Sequence, residues 1–274
     1  MNYEEKYLRL LDQVLEEGEI RTNRNGNTKG IFGAQLKIDS LRYGLFPILT
    51  TRTMSLLPIM GELSAFLAGC RMLSSFKSRG CNYWDMNAAQ WSKNKGLPQE
   101  QHEVGNIYGA QWRDWNSEGI DQLQQLVQGI KTDPFSRRHI MTCWNPGQLQ
   151  DMCLPPCHII VQAYVCNNNY LDLRIDMRSV DLALGLPTDV VLYAGFLVAL
   201  AYETYRAPGS LIFQFGDAHI YTDHVKSVVR QLERTPEALP GYVYDDTSTL
   251  GNFSNSSIVL NGYNPQGPIK YALL

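Results

Sequence analysis

The sequence lacks the marks that would set it apart from ordinary packed domains. No serine- or glycine-rich linker, block of like charge, repeat or low-complexity tract interrupts its 274 residues, so one domain over 1–274 is expected rather than two. Neither sign of charge dominates: 24 Lys and Arg against 27 Asp and Glu leave a net charge of −3. That balance argues against a general nucleic-acid binder or a membrane-surface protein. No transmembrane run or signal peptide is visible, and the opening segment, MNYEEKYLRLLDQVLEEG, is too charged to be one. Cysteine is sparse, six scattered residues, which is no disulfide framework; a reduced, cytoplasmic protein is expected. Cys153-x3-Cys157-His158 has no second ligand pair at standard spacing, so no metal is expected.

What the chain does hold is concentrated in residues 153–189, CLPPCHIIVQAYVCNNNYLDLRIDMRSVDLALGLPTD. A Pro-Pro pair delivers Cys157 and His158 at the mouth of an apolar, β-branched run, 159–165. A second alternating run, 170–177, leads to Arg178, Ser179 and Asp181, and a Gly185-Leu186-Pro187 turn presents Asp189. Thiol, imidazole, guanidinium, hydroxyl and carboxylates thus fall at strand ends and turns, where functional groups are usually displayed. A cysteine is a useful nucleophile only as thiolate, and a nearby arginine is one way to lower its pKa. Alone, a Cys-His pair after prolines is more often structural, because free cysteine commonly serves as a small core residue. No Gly-rich oxyanion loop accompanies the pair, which argues against a cysteine hydrolase.

Around this stretch the periodicity predicts a helix over Tyr3–Glu17 ended by Gly18, a polar turn-forming loop at 21–27 and a strand over 30–38. A short extended piece is expected at 44–51, and an amphipathic helix over Leu56–Leu67 with a single acid, Glu62. A further helix is expected at 120–131, and 190–205 reads as a long apolar helix that must be buried. Each polar residue also has a plain reading. Arg21 fits a solvated hairpin turn, Glu62 an exposed helix face, and Arg137 and Arg138 a solvated pair after a helix. Trp84, Tyr108 and Trp112 fit a core cluster, and His219 and Tyr221 a buried strand.

In order along the chain, PPCH, MRSVD, GLP and FGDAHIY (215–221) form a constellation that resembles the thymidylate synthase family, including its deoxycytidylate hydroxymethylase branch. The resemblance runs from Arg21 to nearly the C-terminus. It implies an α/β (α+β) fold with a large mixed sheet and flanking helices, a homodimer, and 5,10-methylenetetrahydrofolate as carbon donor. It implies that Cys157 adds to C6 of a pyrimidine nucleotide, whose phosphate is held by Arg21, Arg178 and Ser179. Arg137 and Arg138 would reach that phosphate from the partner subunit, since arginine's planar fork suits phosphate oxygens. His219 and Tyr221 would hold the sugar 3′-hydroxyl. Tyr108 and Trp84 would line the ligand pocket, while Trp112 stays in the core. Glu62 would face the active site with a raised pKa and, with His158, manage protons. Asp181 would contact the pterin, with Trp84, Leu184 and Gly185 on the folate side. The tail GYNPQGPIKYALL (262–274) resembles the segment that closes over bound ligands.

Four departures narrow the reading. The synthases' GLPFN ends in an asparagine that reads uracil; here GLPTD places Asp189 there. A carboxylate accepts from the amino group that cytosine presents, and the hydroxymethylase branch also carries aspartate. Met177 stands where synthases have glutamine, Asn87 replaces a tryptophan against the folate, and Thr188 replaces a phenylalanine. The last two make the folate side smaller and more polar, so that water can enter. Ser55 stands where many synthases have histidine, and Asn23 and Asn25 lie in a loop usually richer in Gly and Thr. The expectation is a dCMP 5-hydroxymethyltransferase. Its alternatives are a dCMP 5-methyltransferase that retains hydride transfer, then thymidylate synthase acting on dUMP, then a silent nucleotide- or RNA-binding relative.

Overall fold

The computed structural model describes residues 2–23, 26–98 and 101–272. Its elements run α1 (Tyr3–Glu17), β1 (Glu19–Asn23), β2 (Gly26–Ile38), α2 (Leu56–Leu67), α3 (Leu73–Lys77), α4 (Asp85–Asn94), α5 (Tyr108–Arg113) and α6 (Gln122–Thr132). There follow β3 (Ile140–Thr142), β4 (His158–Val165), β5 (Tyr170–Asp181), α7 (Gly185–Glu203), β6 (Ala207–Tyr221), α8 (Val225–Leu232), β7 (Gly241–Tyr244) and β8 (Ile258–Asn261). Six strands form one mixed sheet in the order β1-β2-β6-β5-β4-β3, and β7 and β8 pair separately. Among the described residues, β5 and β6 are the one parallel pair of the large sheet. The fold is therefore the mixed α/β class with flanking helices.

A parallel pair needs a crossover, and α7 supplies it. Along β5, Leu171, Leu173, Ile175 and Met177 alternate inward, and α7 packs over this face against β5, β6 and α2. The helix is long and apolar enough by composition to cross a membrane, yet most of its surface is buried inside the protein. Gly195 lets it approach α2: a Cβ there would stand 2.8 Å from Met60 Sδ. Gly109 does the same for α5, where a Cβ would meet Phe66 O at 2.2 Å. These two contacts bring Tyr108 and Glu62 to the same cavity.

Several boundaries differ from the sequence reading. Helix α7 begins at Gly185, so Gly185-Leu186-Pro187 is its first turn rather than a separate turn. Proline is tolerated there because first-turn N–H groups have no intrahelical partner. Arg178, Ser179 and Asp181 lie inside β5 and not beyond its end. Residues 44–51 make only an isolated bridge, Leu45 to Gly241, although Phe46, Ile48 and Leu49 are fully buried. Helix α2 has the expected bounds but is not amphipathic, since every residue from Ile59 to Leu67 is buried. Residues 21–23 pair antiparallel with 26–28, Arg21 opposite Thr28 and Asn23 opposite Gly26; Arg24 and Asn25 lie outside the described residues.

Glu4 ties α1 to the wall of the central cavity. It is fully buried and accepts from the backbone N–H and the hydroxyl of both Thr50 and Thr51, at 2.6–3.0 Å. Gln231 of α8 donates to the Thr51 hydroxyl and accepts from Tyr271, so the 262–272 tail joins the same network. Removing the carboxylate strands several buried donors, each costly to leave unpaired. Glu4→Ala should lower the urea-unfolding free energy by about 3 kcal/mol. Glu4→Gln, which keeps one acceptor oxygen, should lose less.

Candidate active site

The elements above enclose a cavity of about 560 Å³. Its walls come from α2 (Ile59, Glu62, Phe66), residues 52–55, Tyr83, Trp84 and Asn87, Tyr108, Leu154, Cys157 and His158, the end of β5 and the start of α7. Cys157 sits one residue before β4. Its backbone N–H donates to the Tyr108 hydroxyl at 2.8 Å, and its carbonyl accepts from Arg178 N–H at 2.9 Å. The Arg178 side chain folds back along the same edge, donating to Pro156 O and Pro155 O at 2.9 and 3.0 Å. Its Nη2 ends 4.0 Å from the thiol sulfur. Trp144 packs beneath the guanidinium.

The thiol does not have the lowered pKa that a nearby arginine suggests. Burial pushes it up and Asp189 pushes the same way; Arg178 opposes both without overcoming them. Desolvation of the charged form here outweighs one guanidinium at 4.0 Å.

His158 points into the interior, with Nε2 3.0 Å from Asp189 Oδ1 and Nδ1 3.0 Å from the Tyr193 hydroxyl. Glu62, only 7% exposed, accepts from Trp84 Nε1–H at 2.7 Å. Burial carries its pKa from the usual 4.5 to about 8, with Asp189 adding to the rise and the Trp84 hydrogen bond opposing it. Asp181 accepts from Ala183 N–H at 2.9 Å and stands 4.0 Å from His224 Nδ1. Burial raises its pKa as well.

The cavity thus gathers Cys157, His158, Glu62, Asp189, Ser179, Asp181, Tyr108, Trp84, Leu184 and Gly185, together with Asn87, Thr188 and Ser55. Thr188 spends its hydroxyl on Leu184 O at 3.1 Å. Trp112 is fully buried in the core, its indole N–H on Cys143 Sγ. Arg21, Arg137, Arg138, His219 and Tyr221 do not line this cavity. Arg21 is exposed and pairs with Glu19 at 3.2 Å, and Arg137 and Arg138 are exposed after α6. His219 lies beside Asp181 in the β5–β6 register, and Tyr221 lies opposite Thr28, whose other neighbour is Arg21. His219 Nδ1 is 2.9 Å from Asp217 Oδ1.

Three participants were not singled out from sequence. Arg52 is buried, donates to Ala183 O at 2.8 Å and lies under Tyr271. Its signal was a lone cation in the uncharged stretch LTTRTMS. His224 holds the tail through Ala272 O at 2.8 Å. Tyr193 had no signal, being one aromatic in an apolar helix.

A half-buried thiol beside a guanidinium, facing three carboxyls of which Glu62 and Asp181 accept hydrogen bonds, is an arrangement suited to nucleophilic chemistry with proton transfer alongside. Residues 5–274 match the family model described as Thymidylate synthase, and the chain belongs to that family. Membership carries folate-dependent one-carbon transfer to C5 of a pyrimidine nucleotide, with methylenetetrahydrofolate as cosubstrate. The lining fits such a pair of ligands. Ile59, Phe66, Trp84, Leu154, Val180 and Leu184 offer flat apolar surface, and Asp181 provides a fixed acceptor at its edge.

The raised pKa of Glu62 has a thermodynamic sign. A carboxyl whose pKa is higher folded than unfolded holds more protons in the native state between the two values, so stability falls as pH rises through that window. The difference in unfolding free energy between wild type and Glu62→Gln should therefore fall from pH 4.5 to about 8. The slope should approach about 1.4 kcal/mol per pH unit, measured by urea unfolding across that range.

Proposed function

We infer that the protein is a dCMP 5-hydroxymethyltransferase. The observation that carries this reading is the His158–Asp189 contact at 3.0 Å inside the Cys157 cavity. Asp189, whose Oδ1 stands 3.0 Å from His158 Nε2, offers a carboxylate acceptor to a base, which matches the amino group of cytosine and opposes the O4 of uracil. Cys157 is the nucleophile. As its sulfur bonds to C6, the C5=C6 π pair moves to C5, which becomes the attacking carbon. Arg178 stabilises the thiolate, and Tyr108 fixes the Cys157 backbone.

Methylenetetrahydrofolate, when bound, would supply the one-carbon unit; loss of the C5 proton and departure of tetrahydrofolate would leave that unit on C5 as an exocyclic methylene. Addition of water to that methylene forms the C–O bond, restores C5=C6 and expels the Cys157 thiolate; Glu62, which gives its own proton to the ring as the thiolate adds, takes up the water's proton. Asn87 and Thr188 in the lining favour water over hydride, because neither supplies the aromatic bulk that keeps such a site dry. The second reading, a dCMP 5-methyltransferase, is supported by the 262–272 tail. Lys270 O accepts from Ser227, Ala272 O lies on His224, and Gln266 bonds to Thr50 and Thr235.

The phosphate clamp completes the reading. Arg21 and Arg178 act from within the subunit, with Ser179, while His219 and Tyr221 take the sugar. Arg137 and Arg138 act in a homodimer, from the partner's side. Phe32, Tyr164 and Ile140 support that dimer, since the large sheet leaves them 81, 63 and 48% exposed.

Turnover with dCMP or dUMP and methylenetetrahydrofolate, followed by mass spectrometry of the nucleotide, tests the reading directly. A gain of CH2O on dCMP without dihydrofolate is expected. A gain of CH2 with dihydrofolate means methylation, and a wild type that prefers dUMP overturns the cytosine assignment. Cys157→Ser should lose turnover by on the order of 10³-fold or more while still binding nucleotide in a calorimetric titration. Asp189→Asn should move the dCMP:dUMP preference toward dUMP by roughly 1–3 kcal/mol, the worth of one bidentate base contact.

A further inference from the structure

The guanidinium beside the thiol is held by groups that the reaction as written above does not call on. Arg178 is exposed on β5, and a long exposed side chain left to itself samples many rotamers. Three contacts narrow that choice. Nε–H donates to Pro156 O at 2.9 Å, and Nη2–H to Pro155 O at 3.0 Å. Proline has no N–H to give a strand ladder, so the Pro155-Pro156 segment stays outside the sheet and turns its carbonyls to the guanidinium. The third contact is the Trp144 indole, whose ring centroid lies 5.6 Å from the guanidinium carbon.

The end of β3 brings Trp144 there. The Thr142 hydroxyl donates to Ile159 O at 2.8 Å and accepts from Trp144 N–H at 3.3 Å, while Cys143 N–H donates to Ile159 O at 3.0 Å. The chain thus leaves the sheet at the Cys157 end of β4, with the indole half-buried against Arg178. Two carbonyls hold the guanidinium at its edge and the indole holds its face, so that Nη2 ends 4.0 Å from Cys157 Sγ. Of the groups that bear on the sulfur, Asp189 of α7 disfavours the thiolate, while Arg178 of β5 and Tyr108 of α5 favour it. Trp144 does not line the cavity; what it does to the thiol it does through the cation.

We propose that Trp144 is a positioning residue for nucleophile activation, its indole face keeping the Arg178 guanidinium turned toward the Cys157 sulfur. This rests on the reading of Cys157 as the nucleophile. The negative face of the indole attracts the cation, and its flat surface matches the planar guanidinium. Without the indole, two backbone carbonyls alone hold an exposed side chain against competing water. The arginine then spends part of its time turned out to solvent, where its charge is screened from the sulfur. The thiolate loses its counter-charge for that fraction of the time, although no group that touches a ligand in the cavity has changed.

The titration of the Cys157 thiol reads this directly, taken from the pH dependence of iodoacetamide alkylation and followed on the Cys157 peptide by mass spectrometry. Trp144→Leu should raise the midpoint, cutting the thiolate fraction at neutral pH roughly two- to fivefold, the scale of one exposed cation–π contact. Trp144→Phe, which keeps an aromatic face, should lose less. Fluorinated tryptophans placed at position 144 weaken the negative face and barely change its shape, so the thiolate fraction should fall stepwise as fluorines are added. In an Arg178→Gln background Trp144→Leu should change nothing further, because the cation is already gone. A midpoint unmoved by Trp144→Leu overturns the proposal, and so does an equal shift in the Arg178→Gln background, which marks a merely structural effect. If Trp144→Leu does not fold, the fluorinated series decides, and a thiolate fraction that ignores fluorination overturns the proposal. None of these readouts needs turnover. A Cys157→Ser protein with full turnover overturns the nucleophile reading, whereas an inactive Cys157→Ser with an unmoved midpoint in the Trp144 variants overturns only the role of Trp144.

Discussion

The pairing of β4 with β5 sets nearly every distance in the site. His158 stands opposite Met177, the register shifts by a bulge before Ile160, and Arg178 N–H closes on Cys157 O. Thiol and cation are therefore placed by one strand register and not by two loops. The same β5 then runs parallel to β6, which puts Asp181 beside His219, and the crossover through α7 returns Asp189 to within 3.0 Å of His158. A slip of one residue between β4 and β5 would turn Arg178 and Met177 to opposite faces, separating the thiol from its cation and exposing a core methionine.

This economy has an electrostatic cost. Glu62, Asp181 and Asp189 all face one cavity among apolar residues, and a buried charge is tolerated only when something holds it. Glu62 is held by an indole N–H and Asp181 by a backbone N–H, while Asp189 stands 3.0 Å from the His158 ring nitrogen. For Glu62 the holder is too weak to offset desolvation, so its proton stays on until about pH 8. On the proposed reading, burial thus keeps Glu62 as a proton donor at neutral pH beside the side chain that reads the base.

Most of the cavity was legible because its chemistry-bearing residues sit in short, ordered motifs. Cys157, His158, Ser179, Asp181 and Asp189 share a single 37-residue stretch, and the structure closes that stretch on itself. Helix α1 matched its expected bounds because its capping box and its apolar spacing agree. Where local pattern failed, tertiary burial had overridden it. Glu62 gave α2 an amphipathic look, but the cavity rather than solvent lies on its polar side. The run 44–51 looks extended and apolar, as a strand would, yet it is buried against α1 and the tail with one isolated bridge to β7 in place of a strand ladder. The thiol pKa was misread for a related reason: a nearby arginine is visible in sequence, but the depth of burial that outweighs it is not. Tyr193 and Arg52 matter through single long-range contacts, and one contact leaves no periodicity to read.

On the proposed reading, in which Asp189 reads the base, its charge link to Cys157 has a second consequence. The negative charge of Asp189 helps to hold the thiol in its protonated form, so an empty site disfavours the reactive thiolate. A donor placed on Asp189 by the correct base draws that charge away from the sulfur, while one that presents a carbonyl does not. Arg178 is the only one of the named influences on Cys157 that combines positive charge with direct approach to sulfur, and a bound phosphate would draw on it as well. The balance that frees the thiolate must then come from the ligand's base edge rather than from its phosphate. On the proposed reading, base recognition and nucleophile activation are one electrostatic event. Discrimination is thereby expressed at the bond-forming step, where binding energy raises the rate and not merely the affinity.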